Sequence, residues 1–165
     1  MNELDDATAA QVRALAATLT ARGALLATAE SCTGGLIAAA CTSLAGSSDW
    51  FERGFVTYSN DAKTELLGVD AALLATHGAV SEEVARAMAE GAIAGSRATL
   101  AVAVTGIAGP SGARPGKPVG TVWLAIARRG GATQARLLQL PGDRAAVRHA
   151  TLVQALDALI AAAGA

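Results

Sequence analysis

The segment ALLATAESCTGG, residues 24–35, joins a short apolar run to an alanine-rich one. The apolar segment predicts a buried strand over residues 24–28, and the alanine-rich run predicts a helix over residues 36–44. A sharp turn between them places the Ser31 hydroxyl beside helix N–H groups that have no partner within the helix. Such groups favour negative charge, either on a bound phosphate or on a developing oxyanion. The alternative is that Ser31 or Thr33 only caps the helix.

Helices and strands alternate along the rest of the chain. The further predicted helices cover residues 7–22, 60–68, 70–76, 82–95 and 144–162, and the further strands cover residues 54–59, 100–104, 119–127 and 133–140. The last two strands form a predicted hairpin at residues 128–131. This order predicts an α/β fold in one domain over residues 1–165, a three-layer α/β/α sandwich with a mixed sheet.

Polar residues mark where several of these helices begin. Asp5 or Asp6 is the predicted cap of the first helix, and Ser81 is the predicted cap of the helix over residues 82–95. Asn60 or Asp61 is the predicted cap of the short helix that carries Lys63, and Asp143 introduces the last helix. These caps fix the predicted starts of the four helices.

Composition excludes several classes of protein. The formal net charge is −1, with 13 basic and 14 acidic residues and no basic block, which argues against a nucleic-acid partner. The sequence has no signal-peptide pattern and no run of about 20 apolar residues, so we expect a cytoplasmic protein without a membrane partner. If both cysteines lie on the helix after the turn, Cys32 and Cys41 are about 14 Å apart, too far for a disulfide. Neither has the companions of a metal site.

Two loops rich in small residues follow predicted central strands, at residues 31–35 and 105–109. Ligands of open α/β sheets bind outside the carboxyl ends of the strands, so we expect these loops to form opposite walls of one pocket. The backbone of Thr33, Gly34 and Gly35 would line one wall, and Thr105 and Gly106 the other. Neither loop is a phosphate-binding Walker motif, and no G-x-S-x-G elbow occurs.

A serine nucleophile needs a base, and Lys63 is a better candidate than either histidine. Nothing in the sequence near His77 or His149 suggests a triad, whereas burial or a helix N-terminus can lower the pKa of a lysine into the useful range. Tyr58 could relay a proton or hold that lysine. On these residues alone, a solvated helix lysine and a strand tyrosine are the favoured interpretation, ahead of catalysis.

Two further side chains have competing interpretations. Cys32 is a rival nucleophile because a helix N-terminus lowers a thiol pKa, but small buried cysteines are common. Arg144 is a candidate ligand for phosphate or carboxylate, or else forms a surface ion pair.

Several segments taken together resemble the CinA C-terminal domain family. They are TAESCTGG (28–35), WFERGFVTYSN (50–60) with Lys63, HGAVSE (77–82), VTGIAGP (104–110), KPVGTVW (117–123) and PGDR (141–144). The match runs through nearly the whole chain in order, which makes it more specific than any single motif. Ala113 departs from the pattern, since relatives commonly have a second glycine after Gly112.

The resemblance implies a stand-alone enzyme that hydrolyses nicotinamide mononucleotide to nicotinate mononucleotide and ammonia in pyridine-nucleotide salvage, with no metal or cofactor. It implies Ser31 as nucleophile, Lys63 as base and Tyr58 as the partner of the lysine, in a site to which Arg144 contributes. It also implies a homodimer. We expect N–H groups at the start of the helix over residues 36–44, with Thr105 or Gly106, to hold the oxyanion. The competing hypothesis is a non-catalytic nucleotide-binding or regulatory domain that uses the same loops.

Overall fold

A mixed five-stranded sheet forms the centre of the protein in a computed structural model that describes residues 4–165. The strands are β1 (Leu26–Glu30), β2 (Phe51–Val56), β3 (Leu100–Gly106), β4 (Thr121–Arg128) and β5 (Gln134–Gln139). Their order is β2-β1-β3-β4-β5; β1 runs parallel to β2 and β3, and β4 runs antiparallel to β3 and β5. The mixed sheet and the β4–β5 hairpin confirm the sequence prediction.

Helices cover both faces of the sheet. They are α1 (Asp6–Arg22), α2 (Leu36–Thr42), α3 (Asn60–Leu67), α4 (Ala71–His77), α5 (Glu82–Ala94) and α6 (Arg144–Gly164). Helices α1, α2 and α6 contribute to one hydrophobic cluster, and α3, α4 and α5 to the other. The predicted three-layer α/β/α sandwich is therefore confirmed.

The two faces of the sheet differ in side-chain size, because large and small apolar residues alternate along its central strands. Leu100, Val102 and Val104 of β3 face α1, α2 and α6, whereas Ala101 and Ala103 face α5. The alanine face allows close packing. A side chain at Gly91 of α5 would come within 2.0 Å of the Leu67 carbonyl oxygen, so only glycine fits there.

Several strand bounds differ from the predicted ones. Strand β1 occupies residues 26–30 rather than 24–28, so the charged side chain of Glu30 lies inside the strand and not in the turn. Strand β2 ends at Val56 rather than at residue 59, because the carbonyls that follow turn away from the sheet toward the Lys63 amine. Strand β3 extends to Gly106, which pairs with Val122 of β4.

Most predicted caps are confirmed, with two corrections. Asp5, Ser81 and Asp143 accept hydrogen bonds from the first turns of their helices. Helix α3 is capped by the Ser59 hydroxyl and not by Asn60 or Asp61, since the helix itself begins at Asn60. The residue before α2 is Gly35, at φ +98°, so neither Ser31 nor Thr33 is the N-cap. Among residues 4–165, no helix is both long and apolar enough to cross a membrane.

Candidate active site

The carboxyl ends of β1 and β3 open into a cavity of about 270 Å³. The turn after β1 supplies Ser31 and Cys32, the start of α3 supplies Lys63, and the end of β3 supplies Thr105 and Gly106. Tyr58 and Arg144 also line it. The structure thus brings together most of the predicted site residues, which lie far apart in the sequence, at the sheet edge where ligands of α/β folds bind.

The Ser31 hydroxyl and the Lys63 amine are in direct contact. Lys63 Nζ donates to Ser31 Oγ at 3.1 Å and to the carbonyl oxygen of Thr57 at 2.9 Å. It also lies 3.4 Å from the Ser59 carbonyl oxygen and 3.5 Å from that of Tyr58. The amine is therefore surrounded by one hydroxyl and three carbonyl oxygens.

Burial disfavours the charged form of this lysine. Lys63 is only 1% exposed, and no carboxylate forms an ion pair with it among residues 4–165. Because burial penalises the charged form, the pKa of the Lys63 amine is lowered from its ordinary value of 10.5. A buried, unpaired lysine in contact with a serine hydroxyl has the arrangement of a general base and its nucleophile.

Glu30 is the residue that sequence reasoning missed. Its carboxylate is fully buried and accepts hydrogen bonds from the Thr33 hydroxyl and from the amides of Gly35, Ile37 and Ala38. A charged residue at the end of an apolar strand is the signal that could have found it, since a buried carboxylate requires dedicated donors. The expectation that the first N–H groups of α2 hold an oxyanion is wrong for these three amides, because Glu30 already occupies them.

The other predicted residues of the first loop do not line the cavity. Thr33 is fully buried with its hydroxyl on Glu30, and its carbonyl accepts a hydrogen bond from Arg148. Gly34 and Gly35, both at positive φ, shape the turn but are not among the residues that line the cavity. In this structure these three residues support the turn.

The opposite wall depends on a close approach of two strands. A side chain at Gly106 would come within 2.8 Å of the Thr121 carbonyl oxygen, so glycine is required where β3 meets β4. The buried Thr105 hydroxyl donates to the Ala79 carbonyl oxygen at 2.8 Å. Thr105 therefore anchors the loop before α5, which contributes Ala79 and Val80 to the cavity.

Two exposed side chains cross the mouth of the cavity. Tyr58 is 58% exposed, and its hydroxyl accepts a hydrogen bond of 2.9 Å from Arg144. Arg144 also donates to the Gly109 carbonyl oxygen at 3.0 Å and forms no ion pair with any residue in the described range. The Tyr58 group nearest to Lys63 Nζ is a carbonyl oxygen at 3.5 Å, so the ring points toward Arg144.

Cys32 lies beside Ser31 with a protonated thiol. Its side chain is buried, and burial raises the pKa of the thiol to about 11, against the lowering expected at a helix N-terminus. The negative charge of the nearby Glu30 acts in the same direction as burial. Both histidines lie outside the cavity, with His77 near Glu83 and His149 near Asp5.

The protein is thus an α/β sandwich with a cavity at the carboxyl ends of its strands, in which a serine hydroxyl contacts a buried lysine amine. Its sequence matches the model of the CinA C-terminal domain over residues 8–163, and the chain belongs to that family.

Relatives and solved structures agree with this membership. The chain is 55% identical over 141 residues to the nicotinamide-nucleotide amidohydrolase PncC of Escherichia coli K12, a match that covers 86% of each sequence. It is 57% identical over 146 residues to a putative competence-damage inducible protein of Symbiobacterium thermophilum, covering 84% of this chain but 34% of that longer protein. The crystal structure of the competence/damage inducible protein CihA from Agrobacterium tumefaciens superposes with a TM-score of 0.94 at 48% identity, covering 98% of each chain.

Proposed function

We propose that this protein hydrolyses the carboxamide of nicotinamide mononucleotide to nicotinate mononucleotide and ammonia, a reaction of pyridine-nucleotide salvage. The observation that carries the proposal is the 3.1 Å contact between Ser31 Oγ and the buried amine of Lys63. The substrate is suggested by the name of the E. coli relative, with which the chain shares 55% identity. The reaction is an acyl transfer through serine that uses no metal and no cofactor.

In the first step, Lys63 acts as general base. Its neutral amine accepts the proton of Ser31 while the serine oxygen attacks the carboxamide carbon. The Thr57 and Ser59 carbonyls hold the amine in place and stabilise the ammonium that forms. Lys63 then returns this proton to the amide nitrogen, the carbon–nitrogen bond breaks, and ammonia leaves.

The second step hydrolyses the acyl-enzyme. Water attacks the ester carbonyl and gives a proton to Lys63. The bond to Ser31 then breaks, the proton on Lys63 returns to the serine oxygen, and nicotinate mononucleotide is released, its carboxylic acid giving the remaining proton of the water to solvent. The Lys63 amine and the Ser31 hydroxyl carry the protons that are transferred within the site.

Donors for the oxyanion come from the turn itself. With Gly35, Ile37 and Ala38 bonded to Glu30, the amides of Cys32 and Thr33 remain without an oxygen acceptor among residues 4–165. An amide directly after a nucleophilic serine is well placed to stabilise negative charge on the adjacent tetrahedral centre. We assign the Cys32 amide as the principal donor.

The phosphate of the substrate needs a cation at the mouth of the cavity. Arg144 is held there by hydrogen bonds to a carbonyl and a phenol, both uncharged, so its positive charge is not neutralised by the protein. A guanidinium binds phosphate oxygens in a fixed geometry. We assign Arg144 to the phosphate, with Tyr58 orienting it.

Ammonia release tests the proposal. The protein, treated with a chelator, is incubated with nicotinamide mononucleotide beside Ser31→Ala and Lys63→Ala, and ammonia and nicotinate mononucleotide are measured. We expect turnover by the wild type alone, with nucleotide binding kept in Ser31→Ala. Binding without turnover by the wild type would favour a non-catalytic nucleotide-binding domain, and activity that the chelator abolishes would contradict the metal-independent mechanism.

A further inference from the structure

The carboxylate of Glu30 lies directly behind the serine of the site, in the residue before it. It is fully buried, and each of its oxygens is occupied. Oε2 accepts from the Thr33 hydroxyl at 2.7 Å, the Gly35 amide at 3.1 Å and the Ile37 amide at 3.0 Å. Oε1 accepts from the Ala38 amide at 2.8 Å. Burying a carboxylate is costly, so four donors on one side chain indicate a strong constraint on the turn.

These hydrogen bonds close the turn that carries Ser31. On one side, the Ser31 amide donates to the Val104 carbonyl oxygen of β3 at 3.1 Å. On the other side, Glu30 holds Thr33 and the first turn of α2. The serine backbone is thus fixed between the sheet and the helix, and its hydroxyl is set toward Lys63.

A carboxylate suits this position better than any neutral side chain. All its partners are donors, and an ionised carboxylate only accepts. It also stabilises the positive end of α2, which has no acidic residue of its own in its first turn.

We propose that Glu30 is a positioning residue for Ser31. Its buried carboxylate links the first turn of α2 to strand β1 and so holds the serine oxygen at hydrogen-bonding distance from the Lys63 amine. The inference rests on the proposed function only in taking Ser31 as the nucleophile. It assigns Glu30 no contact with substrate.

Two substitutions of Glu30 remove different numbers of its hydrogen bonds. Glu30→Gln keeps an oxygen at the Oε2 position, and with it three hydrogen bonds, but turns an NH2 group toward the Ala38 amide. Glu30→Ala removes all four bonds. The matched control is Asp5→Ala, which removes the side-chain cap of α1 far from the cavity, where Asp5 accepts from the Thr8 amide and hydroxyl.

The experiment measures nucleophile reactivity apart from the natural substrate. Each full-length variant is treated with a small fluorophosphonate, the rate of covalent labelling is followed by intact mass, and Ser31→Ala gives the background. We expect labelling to slow about five- to tenfold in Glu30→Gln, the effect of one lost hydrogen bond. In Glu30→Ala we expect about 100-fold, the effect of a nucleophile displaced by about 1 Å. Asp5→Ala should label at the wild-type rate.

Turnover of nicotinamide mononucleotide gives the second readout. A positioning role predicts that kcat falls in the same order as the labelling rate while KM changes less than about twofold, since Glu30 does not touch the substrate. Wild-type labelling and kcat in folded Glu30→Ala would overturn the proposal. Should Glu30→Ala fail to fold, wild-type values in Glu30→Gln would overturn it equally. A wild type that is labelled but releases no ammonia contradicts the proposed substrate and leaves the labelling rates to decide the role of Glu30.

Discussion

The site has a floor and a rim, and the two are built differently. The floor, Ser31 and Lys63, is enclosed by the protein: Lys63 is 1% exposed and held by backbone carbonyls. The rim, Tyr58 and Arg144, reaches into solvent, with Tyr58 58% exposed. Exposed hydrogen bonds contribute little to stability and rearrange readily, whereas buried ones are rigid. On the proposed function, we therefore expect the floor to perform the bond chemistry and the rim to bind the substrate, so substitutions should separate kcat from KM.

The largest effect is expected at the floor. Lys63→Met keeps the apolar stem but removes the base, and we expect kcat to fall by about 10²- to 10⁴-fold, the usual contribution of a general base. Lys117→Met is the matched control, since Lys117 donates to a backbone carbonyl outside the cavity. Steady-state ammonia release measures both. If the kcat of Lys63→Met were within tenfold of the wild-type value, Lys63 would not be the general base.

The same lysine predicts a pH dependence. Only its neutral form accepts a proton, and burial lowers its pKa from 10.5. Below that lowered pKa, log kcat/KM should therefore rise by about one per pH unit, and it should level off at a pH below 10.5. A rate profile measured at constant ionic strength tests the direction. Activity that falls as pH rises through this range would contradict a neutral lysine base.

At the rim, the expected effect is smaller and falls on binding. Arg144→Ala should raise KM for nicotinamide mononucleotide by about tenfold, the contribution of a charge-assisted hydrogen bond at a partly exposed site. Nicotinamide riboside, which lacks the phosphate, should show an unchanged KM. Arg136→Ala removes an arginine bonded to Gln154 outside this cavity and serves as control. Equal losses for both substrates would contradict the assignment to phosphate.

The periodicity of apolar residues and the capping residues were enough to predict the layers of the fold and most helix ends. Asp5, Ser81 and Asp143 were readable as caps because a side chain that bonds to its own helix is a local feature. The strand bounds were less predictable. Strand β2 ends early because the backbone after Val56 turns toward Lys63, a contact that no local pattern contains.

In the site, too, some features were predictable from the sequence and others depend on contacts between distant residues. Ser31 and Lys63 were identifiable as a candidate pair because residue type and family resemblance both pointed to them. The hydrogen bonds from the α2 amides to Glu30 were missed because the strand was predicted to end at residue 28, which placed this charged residue in the turn rather than at the end of β1. The orientation of the Tyr58 ring toward Arg144 was not predictable from the sequence, because the hydrogen bond between them joins residues 86 positions apart. The roles of these residues, the homodimer and the cytoplasmic location stay predictions.

Tyr58→Phe tests the second side chain of the rim. The change removes the hydroxyl that accepts from Arg144 and keeps the ring, so we expect KM to rise about two- to threefold with kcat nearly unchanged. Combined with Arg144→Ala, the two effects should not add, because both remove one interaction. If Tyr58→Phe instead lowered the turnover rate by about two orders of magnitude, the usual contribution of a proton-transfer group, the phenol would be assigned to proton transfer.

The smallest effect is expected at Cys32, the neighbour of Ser31 in the cavity lining, whose thiol the proposed mechanism does not use. Burial raises the pKa of its thiol to about 11, so at neutral pH almost no thiolate is present to compete with Ser31. Cys32→Ala should keep kcat within about twofold, because only the backbone amide of residue 32 is assigned to the reaction. An inactive Cys32→Ala beside an active Ser31→Ala would reverse the assignment and make the thiol the nucleophile.

The same thiol predicts a pH dependence of stability. The folded state keeps it protonated between its ordinary pKa of 9.0 and about 11, whereas the unfolded chain loses the proton there. The contribution of Cys32 to the free energy of unfolding should therefore fall as pH rises through that window. Denaturant unfolding of the wild type and of Cys32→Ala at pH 7 and pH 10 measures it.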